Sequence, residues 1–594
     1  MRKGCVDKWD NLTECKNLLF FAQTVDELIF SYSIPSHRLA TLNSHYLCID
    51  AIYTIAEIEH NGVPEGSLRP IFEELYYTLD TDPVFSPDNS PLKYFVKEQK
   101  GKYVRGYNPN DFSYTDRRNI IYTIKKRVFS GNSYFEKLKE KIVAIVKANN
   151  EDEQSTLFAL TKSLITELVN SGYDQRYIRD VLVHNFFNLR TQVTSCEQID
   201  TFFDAFPFAN RKYKVVLMAD YHLQSIPVNP ENVKVVNRFF PKTRIPEEST
   251  YLQKKDTERY YIFDEQDEFD PYSAANSVES FVNVGLSLYI LYDHGLDISL
   301  DGAKFIVYDE NNYYTIIIPQ KSAVHRMRTP KYSIVQKKIE LTHQAISKSK
   351  NAGILLLLAA NLHRLSLKST SEENQILDLW AIVECILNIS QEHTSDRITQ
   401  VCSYLVPIIK YKYLYSIFEQ LSIDIKSYDE DKHSEIIGDC EDDFQNVLSL
   451  AKYVLLDTSQ DDCDLWLNSC DDFPLLKFRI RRYRTIFKTR GSLAEYVENH
   501  AQRVRWQIMR AYRNRNLIVH NGETMPYSAL LVENLHSYVD TLLNYVITEL
   551  SNGHTMNSMR QELFASECEW NANVEKKNAA KSIDADFIEY SLKQ

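Results

Sequence analysis

The chain has 594 residues, enough for three or four domains, with 44% hydrophobic and 25% charged residues. Only 15 Gly and 18 Pro stand beside 38 Tyr and 29 Phe, which speaks against a turn-rich all-β fold and for long helices. A formal net charge of −13 argues against a dedicated nucleic-acid coat, and no apolar run reaches the roughly 18 residues of a membrane span.

Residues 1–145 are expected to form a mainly helical N-terminal domain. Apolar residues recur at helical spacing through Leu18–Ile58 and Ile120–Val146, around an irregular stretch, Thr81–Phe112. The apolar run Leu18–Ala22 is too short for a signal peptide, so a cytoplasmic protein without a membrane anchor is expected.

Residues 146–335 read as an α+β sensor or regulatory domain. Leu157–Ser171, closed by Gly172, and Arg176–Leu189 are predicted helices. Strands are predicted at Tyr213–Ala219, Val233–Phe240, Tyr260–Phe263, Lys304–Tyr308 and Tyr313–Ile318. The last two flank Asp309-Glu310-Asn311-Asn312, a hairpin turn. A helix over Tyr272–Tyr292 interrupts the series before Asp293-His294-Gly295, and no glycine-rich phosphate loop is present.

Residues 336–594 are predicted to be all helical, with helices over 337–366, 373–391, 395–421, 443–457, 474–488, 493–519, 527–551 and 557–570. The polar tail beyond Asn571 is expected to be loosely held. The overall expectation is a mainly α protein: helical N-terminal domain, α+β middle, helical C-terminal bundle.

The ten cysteines include no C-x-x-C pair, so no zinc motif and no cofactor are read from them. Cys385 and Cys402 lie in apolar helical runs and read as buried thiols. His325-Arg326-Met-Arg328 reads as a polar loop, and His363-Arg364 as the cationic close of an apolar helix.

One segment breaks the acidic balance. Lys477–Arg515 carries twelve Lys or Arg against Glu495 and Glu498, behind acidic clusters that include Asp461–Asp464. This segment, with Arg482 and Arg484, is either an RNA-contacting face or a solvated face that balances those acids. Further on, Val497, Ala501, Val504, Ile508 and Ala511 form one helical stripe, whose next members are Arg515 and Ile518. An arginine centred on an apolar face requires an acid, an interface or a cleft. A second face carries Trp506, Arg510 and Arg513, suited to a phosphate backbone and a stacked base. On a straight helix Arg515 and His520 diverge by roughly 140°, so they converge only at a helix end or across two subunits.

The run Arg515-Asn516-Leu-Ile-Val-His520, followed by Asn521-Gly522, resembles the Arg-polar-x-x-x-His motif of the HEPN (higher eukaryote and prokaryote nucleotide-binding) superfamily. The following helix, Tyr527–Leu550, and Leu377-Asp-Leu-Trp380-Ala-Ile-Val-Glu384 are similar to the Apea-like branch found in bacterial anti-phage proteins. The resemblance covers roughly residues 340–555, and a fainter one touches Lys162–Phe187 and Asp270-Pro-Tyr-Ser-Ala-Ala275.

It implies a metal-independent endoribonuclease, a defence (abortive-infection) or toxin-like hydrolase acting as a homodimer on an RNA substrate. Its trigger would be a phage component or a nucleic acid. Arg515 would stabilise charge on the phosphate, and His520 would move the proton. Asn516 would orient the pair; Glu384, Arg513 and Asn521 would support it; Arg510, Trp506, Arg482 and Arg484 would contact RNA. The alternative is a non-catalytic HEPN-type module that binds RNA or a nucleotide, or dimerises. The spacing alone is weakly specific, since Arg179-Asp180-Val-Leu-Val-His184 repeats it without the basic approach or the following glycine.

Overall fold

The apolar run Val215–Ala219 calls for a strand buried on both faces, and the computed structural model builds one there. It describes residues 3–30, 42–60, 62–85, 113–129, 131, 133–221, 223, 233–239, 256–290, 300, 303–311, 313–318, 332–348, 350–369, 371–387, 397–438, 442–525, 527–574 and 576–593. The chain is mainly helical, with one small sheet in the middle. It divides into two compact units: residues 1–167, 194–196 and 322–594, and residues 168–193 and 197–321. The N-terminal helices thus share one unit with the C-terminal helices.

The second unit holds the sheet. Its strands are β1 (Arg211–Asp220), β2 (Val233–Val236), β3 (Glu258–Glu268), β4 (Lys304–Tyr308) and β5 (Tyr314–Ile317), in the antiparallel order β2-β3-β1-β4-β5. All five fall on the predicted β-rich runs, with β3 extending well beyond Tyr260–Phe263 and β2 ending at Val236. The hairpin at Asp309 closes with the Asp309 amide donating to the Tyr313 carbonyl, 3.0 Å. The Pro271–Ile290 helix covers one sheet face, with Ala274, Val278 and Val282 packed over Val215, Leu217 and Phe305. The helix expected over Arg176–Leu189 stops at Leu182 and continues as a wider π-type turn, Val183–Phe187. Arg179 and His184 of the repeated motif are both exposed there.

The first unit contains the helices Lys16–Ile29, Ser44–Glu59, Leu68–Thr81, Tyr114–Val128 and Ser133–Ala148, and those from Tyr332 onward. The helix expected over 337–366 is two helices, Tyr332–Lys348 and Lys350–Lys368. Gly353 sits against the preceding helix, where a Cβ would stand 3.0 Å from the Ile346 carbonyl. The tail beyond Asn571 is docked rather than loose. Ala585–Lys593 is a helix that buries Phe587, Ile588 and Leu592, and Arg490 pairs with Asp584 at 2.6 Å. The acidic stretch at Asp461 is also helical, over Gln460–Ser469. Every described cysteine is a free thiol; Cys402 is buried, whereas Cys385 is only half-buried. The stretches 86–112, 291–299 and 319–331, which include most of the irregular N-terminal segment, His294 and His325-Arg326-Met-Arg328, lie outside the described residues. No described helix is long and apolar enough to cross a membrane.

The longest helices are Arg397–Tyr428 and Arg490–Asn521, which pack together through Tyr413 and His500. Their rings stack at 3.5 Å and 4°. Burial and then the Arg503 charge push the His500 pKa down to about 3. The folded chain therefore binds His500's proton less readily than the unfolded chain, whose imidazole titrates near 6.5. This contribution to stability is complete above about pH 6.5 and falls away as the pH drops toward 3, by up to about 1.4 kcal/mol per pH unit. Urea midpoints of wild type and His500→Gln, compared at pH 7 and pH 5, are expected to converge at the lower pH. Parallel losses in both would refute the assignment.

Candidate functional site

Thr489 and Ser492 form a capping box that starts the Arg490–Asn521 helix, and Gly522 ends it in a left-handed conformation, φ 69°. The predicted apolar stripe is buried at Val497, Ala501, Val504, Ile508 and Ala511. Arg515, the next member, is half-buried, and its guanidinium donates to Asn516 Oδ1 at 3.1 Å. His520 is exposed at the last turn.

A cleft of about 870 Å³ runs along the opposite side of this helix. Arg505, Met509, Tyr512, Asn516 and His520 line one wall, at successive helical turns. Residues 62–74, including Arg69, Glu73 and Glu74, form the facing wall, and Ile398 and Thr399 close an end. Asn516 and His520 thus share the cleft, and Arg515 does not line it. The helix stays regular through Asn521, so one chain does not bring Arg515 and His520 together.

The face carrying Trp506, Arg510 and Arg513 is held by N-terminal acids. Arg510 and Arg513 are buried, and both reach Asp50 of the Ser44–Glu59 helix, at 3.4 and 2.6 Å. Arg510 also pairs with Glu74, and the Tyr527 hydroxyl donates to Asp50. Burial opposes the Arg510 charge, but Glu74 and Asp50 outweigh it and hold its pKa above the ordinary value. Trp506 is buried against Tyr77, 5.6 Å between ring centres. These three side chains are engaged inside the fold, and all three also border the cleft that Asn516 and His520 line. Helical periodicity identified their common face but not what covers it.

Further N-terminal contacts reach the end of the helix. Asn521 donates to Glu57 at 2.8 Å, and Tyr53 donates to Glu523 at 2.9 Å. Gly62 makes room for this contact, since a Cβ there would stand 2.5 Å from Glu57 Oε2. Asn514, not singled out from the sequence, is fully buried and accepts from the Met525 amide at 3.2 Å, fixing the loop after the helix. Asp50 was also missed. Its signal was available: it lies among Leu47, Ala51, Thr54 and Ile58, an acid on an apolar stripe that demands a buried cation.

The remaining candidates divide. Glu384 accepts from Trp380 at 2.8 Å and pairs with Arg397 at 3.3 Å, while Trp380 packs on Tyr512 at 5.4 Å. Arg484 is paired with Asp464 at 2.6 Å, so part of the basic segment does balance the acids before it. Arg482 lies over Phe158 at 5.5 Å, beside Lys162 at 5.9 Å from the same ring. Burial, followed by Arg503, Arg482 and Arg479, pushes the Lys162 pKa down to about 7, so the surrounding charge is predominantly positive. No protein-family model matches this chain, and no curated protein or solved structure matches it either.

Proposed function

We propose that the chain is a metal-independent endoribonuclease of the HEPN type, acting in bacterial anti-phage defence or as a regulated toxin. The observation that carries the reading is the placement of Asn516 and His520 in a polar cleft at the terminus of the motif helix. In this reading His520 moves the proton between the ribose 2′-hydroxyl and the leaving 5′-oxygen, and Asn516 orients the phosphate. Arg515 comes from the second protomer of a homodimer, because the helix geometry separates it from the His520 of its own chain. The cationic group around Lys162, Arg482 and Arg503 supports an approach path for the RNA backbone. The products would be a 2′,3′-cyclic phosphate and a 5′-hydroxyl, and DNA would survive for want of the 2′-hydroxyl.

One observation favours the second reading, a nucleotide-responsive module. Its volume suits a small molecule, and its walls carry Arg69 and Arg505. Incubation of the purified chain with RNA, with and without a chelator, tests the two. Fragments with cyclic-phosphate ends that form equally with chelator support the nuclease. Intact RNA together with a thermal shift on adding a nucleotide supports the module and sinks the nuclease.

A further inference from the structure

His536 and Asp540 stand one helical turn apart on the Ser528–Ser551 helix, so both side chains leave the same face. His363, from the Lys350–Lys368 helix, meets them there. Its Nε2 lies 3.0 Å from His536 Nε2 and 3.2 Å from Asp540 Oδ1. The two imidazoles are stacked, with centres 5.0 Å apart and planes at 27°. One ligand atom from each of the three residues falls within 4.8 Å of the others.

We propose that His363, His536 and Asp540 form a transition-metal site of the zinc type that fastens these two helices together. Zinc binds imidazole nitrogen and carboxylate oxygen at about 2.0–2.2 Å, so two ligands on a tetrahedron stand roughly 3.3 Å apart. The observed separations of 3.0 and 3.2 Å lie close to that edge length. Without a cation, two ring nitrogens face each other beside a carboxylate, and only one proton can lie between any two of the three atoms. A single cation serves all three. Two imidazoles with one carboxylate suit zinc, nickel, cobalt or copper over magnesium or calcium, which prefer oxygen. His536 is 5% exposed, whereas His363 and Asp540 are 23% and 28% exposed, so the cluster is anchored inside and open to solvent on one side. A water completes the fourth position. His363 and His536 are 173 apart in sequence, so a bound ion ties together segments that the backbone does not. An ion that binds only the folded chain raises its stability.

This site is independent of the ribonuclease reading, and its test does not use RNA. The untagged, metal-stripped chain is titrated with zinc and, separately, with cobalt. The expected result is one zinc equivalent, a raised melting temperature and a tetrahedral cobalt spectrum without the charge-transfer band of a thiolate. His363→Gln and Asp540→Asn, both changes at partly exposed positions, are each expected to weaken zinc binding by at least about tenfold. Circular dichroism checks that both variants keep the wild-type fold. Absence of binding by the wild-type chain overturns the proposal, as does equal affinity in both folded variants or a thiolate band.

Discussion

His520→Ala and Arg515→Ala are each expected to lower RNA cleavage by about two to four orders of magnitude, the usual contribution of a positioned acid–base or charge-stabilising group. Neither change should unfold the chain, because His520 is exposed and Arg515 is half-buried on a helix whose apolar stripe ends just before it. An equimolar mixture of the two inactive variants is the sharper measurement. If each productive pair joins Arg515 of one protomer to His520 of the other, a mixed dimer keeps one intact pair of two. Random exchange makes half of the dimers mixed, so about a quarter of the wild-type rate should return. If the pair lay within one chain, no mixture could restore it. Persistently silent mixtures of dimeric protein would refute the shared site, and undiminished cleavage by either variant would refute the catalytic assignment itself. A chelator should leave the initial rate intact even where it lowers the melting temperature through His363, His536 and Asp540.

The parts of this molecule that were legible in the sequence are those where a local pattern had one solution. Short β-rich apolar runs at Tyr213–Ala219 and Lys304–Tyr308 fit strands of a sheet with two apolar faces. Asn521-Gly522 could only end a helix. The helix pair Tyr332–Lys348 and Lys350–Lys368 was hidden because no Gly or Pro stands at the junction, and only Gly353 marks the close approach. The docked tail was misread because Phe587, Ile588 and Leu592 are few among polar neighbours.

The candidate site was legible by half. Arg515, Asn516 and His520 are recognisable as a local string, but the cleft belongs equally to residues 62–74, more than 400 positions earlier. Arg510 and Arg513 read as free cations because their acids, Asp50 and Glu74, come from the distant N-terminal helices. His363 is invisible as a ligand for the same reason, while His536-x-x-x-Asp540 has the one-turn spacing of a ligand pair. A long-range partner leaves no trace in a one-dimensional pattern except a charge in an apolar stripe. Asp50 and Arg515 were both such charges, and only one was followed.

Asp50 carries the largest expected effect on stability. Its carboxylate is fully buried and receives Arg510, Arg513 and the Tyr527 hydroxyl. Asp50→Ala leaves Arg513 without its acid, Arg510 with Glu74 alone and Tyr527 without its acceptor. Breaking a buried ionic cluster by removing one partner costs about 3–5 kcal/mol, because the surviving charges remain desolvated. The loss should appear as a lower urea midpoint with an unchanged slope. Asp50→Asn retains one acceptor and should lose less. The quadruple change Asp50→Leu, Glu74→Gln, Arg510→Met and Arg513→Met removes the buried charges together, and should recover most of the stability lost by Asp50→Ala. Recovery would show that the cluster's worth lies in mutual neutralisation rather than in net attraction. If the N-terminal helices also restrain a nuclease, the quadruple variant keeps them docked and should stay quiet. By contrast, Glu57→Gln with Tyr53→Phe, which weaken only the contacts to Asn521 and Glu523, should raise basal RNA cleavage. Equal basal rates in wild type and that double variant would mean that these contacts hold the fold together without governing the cleft.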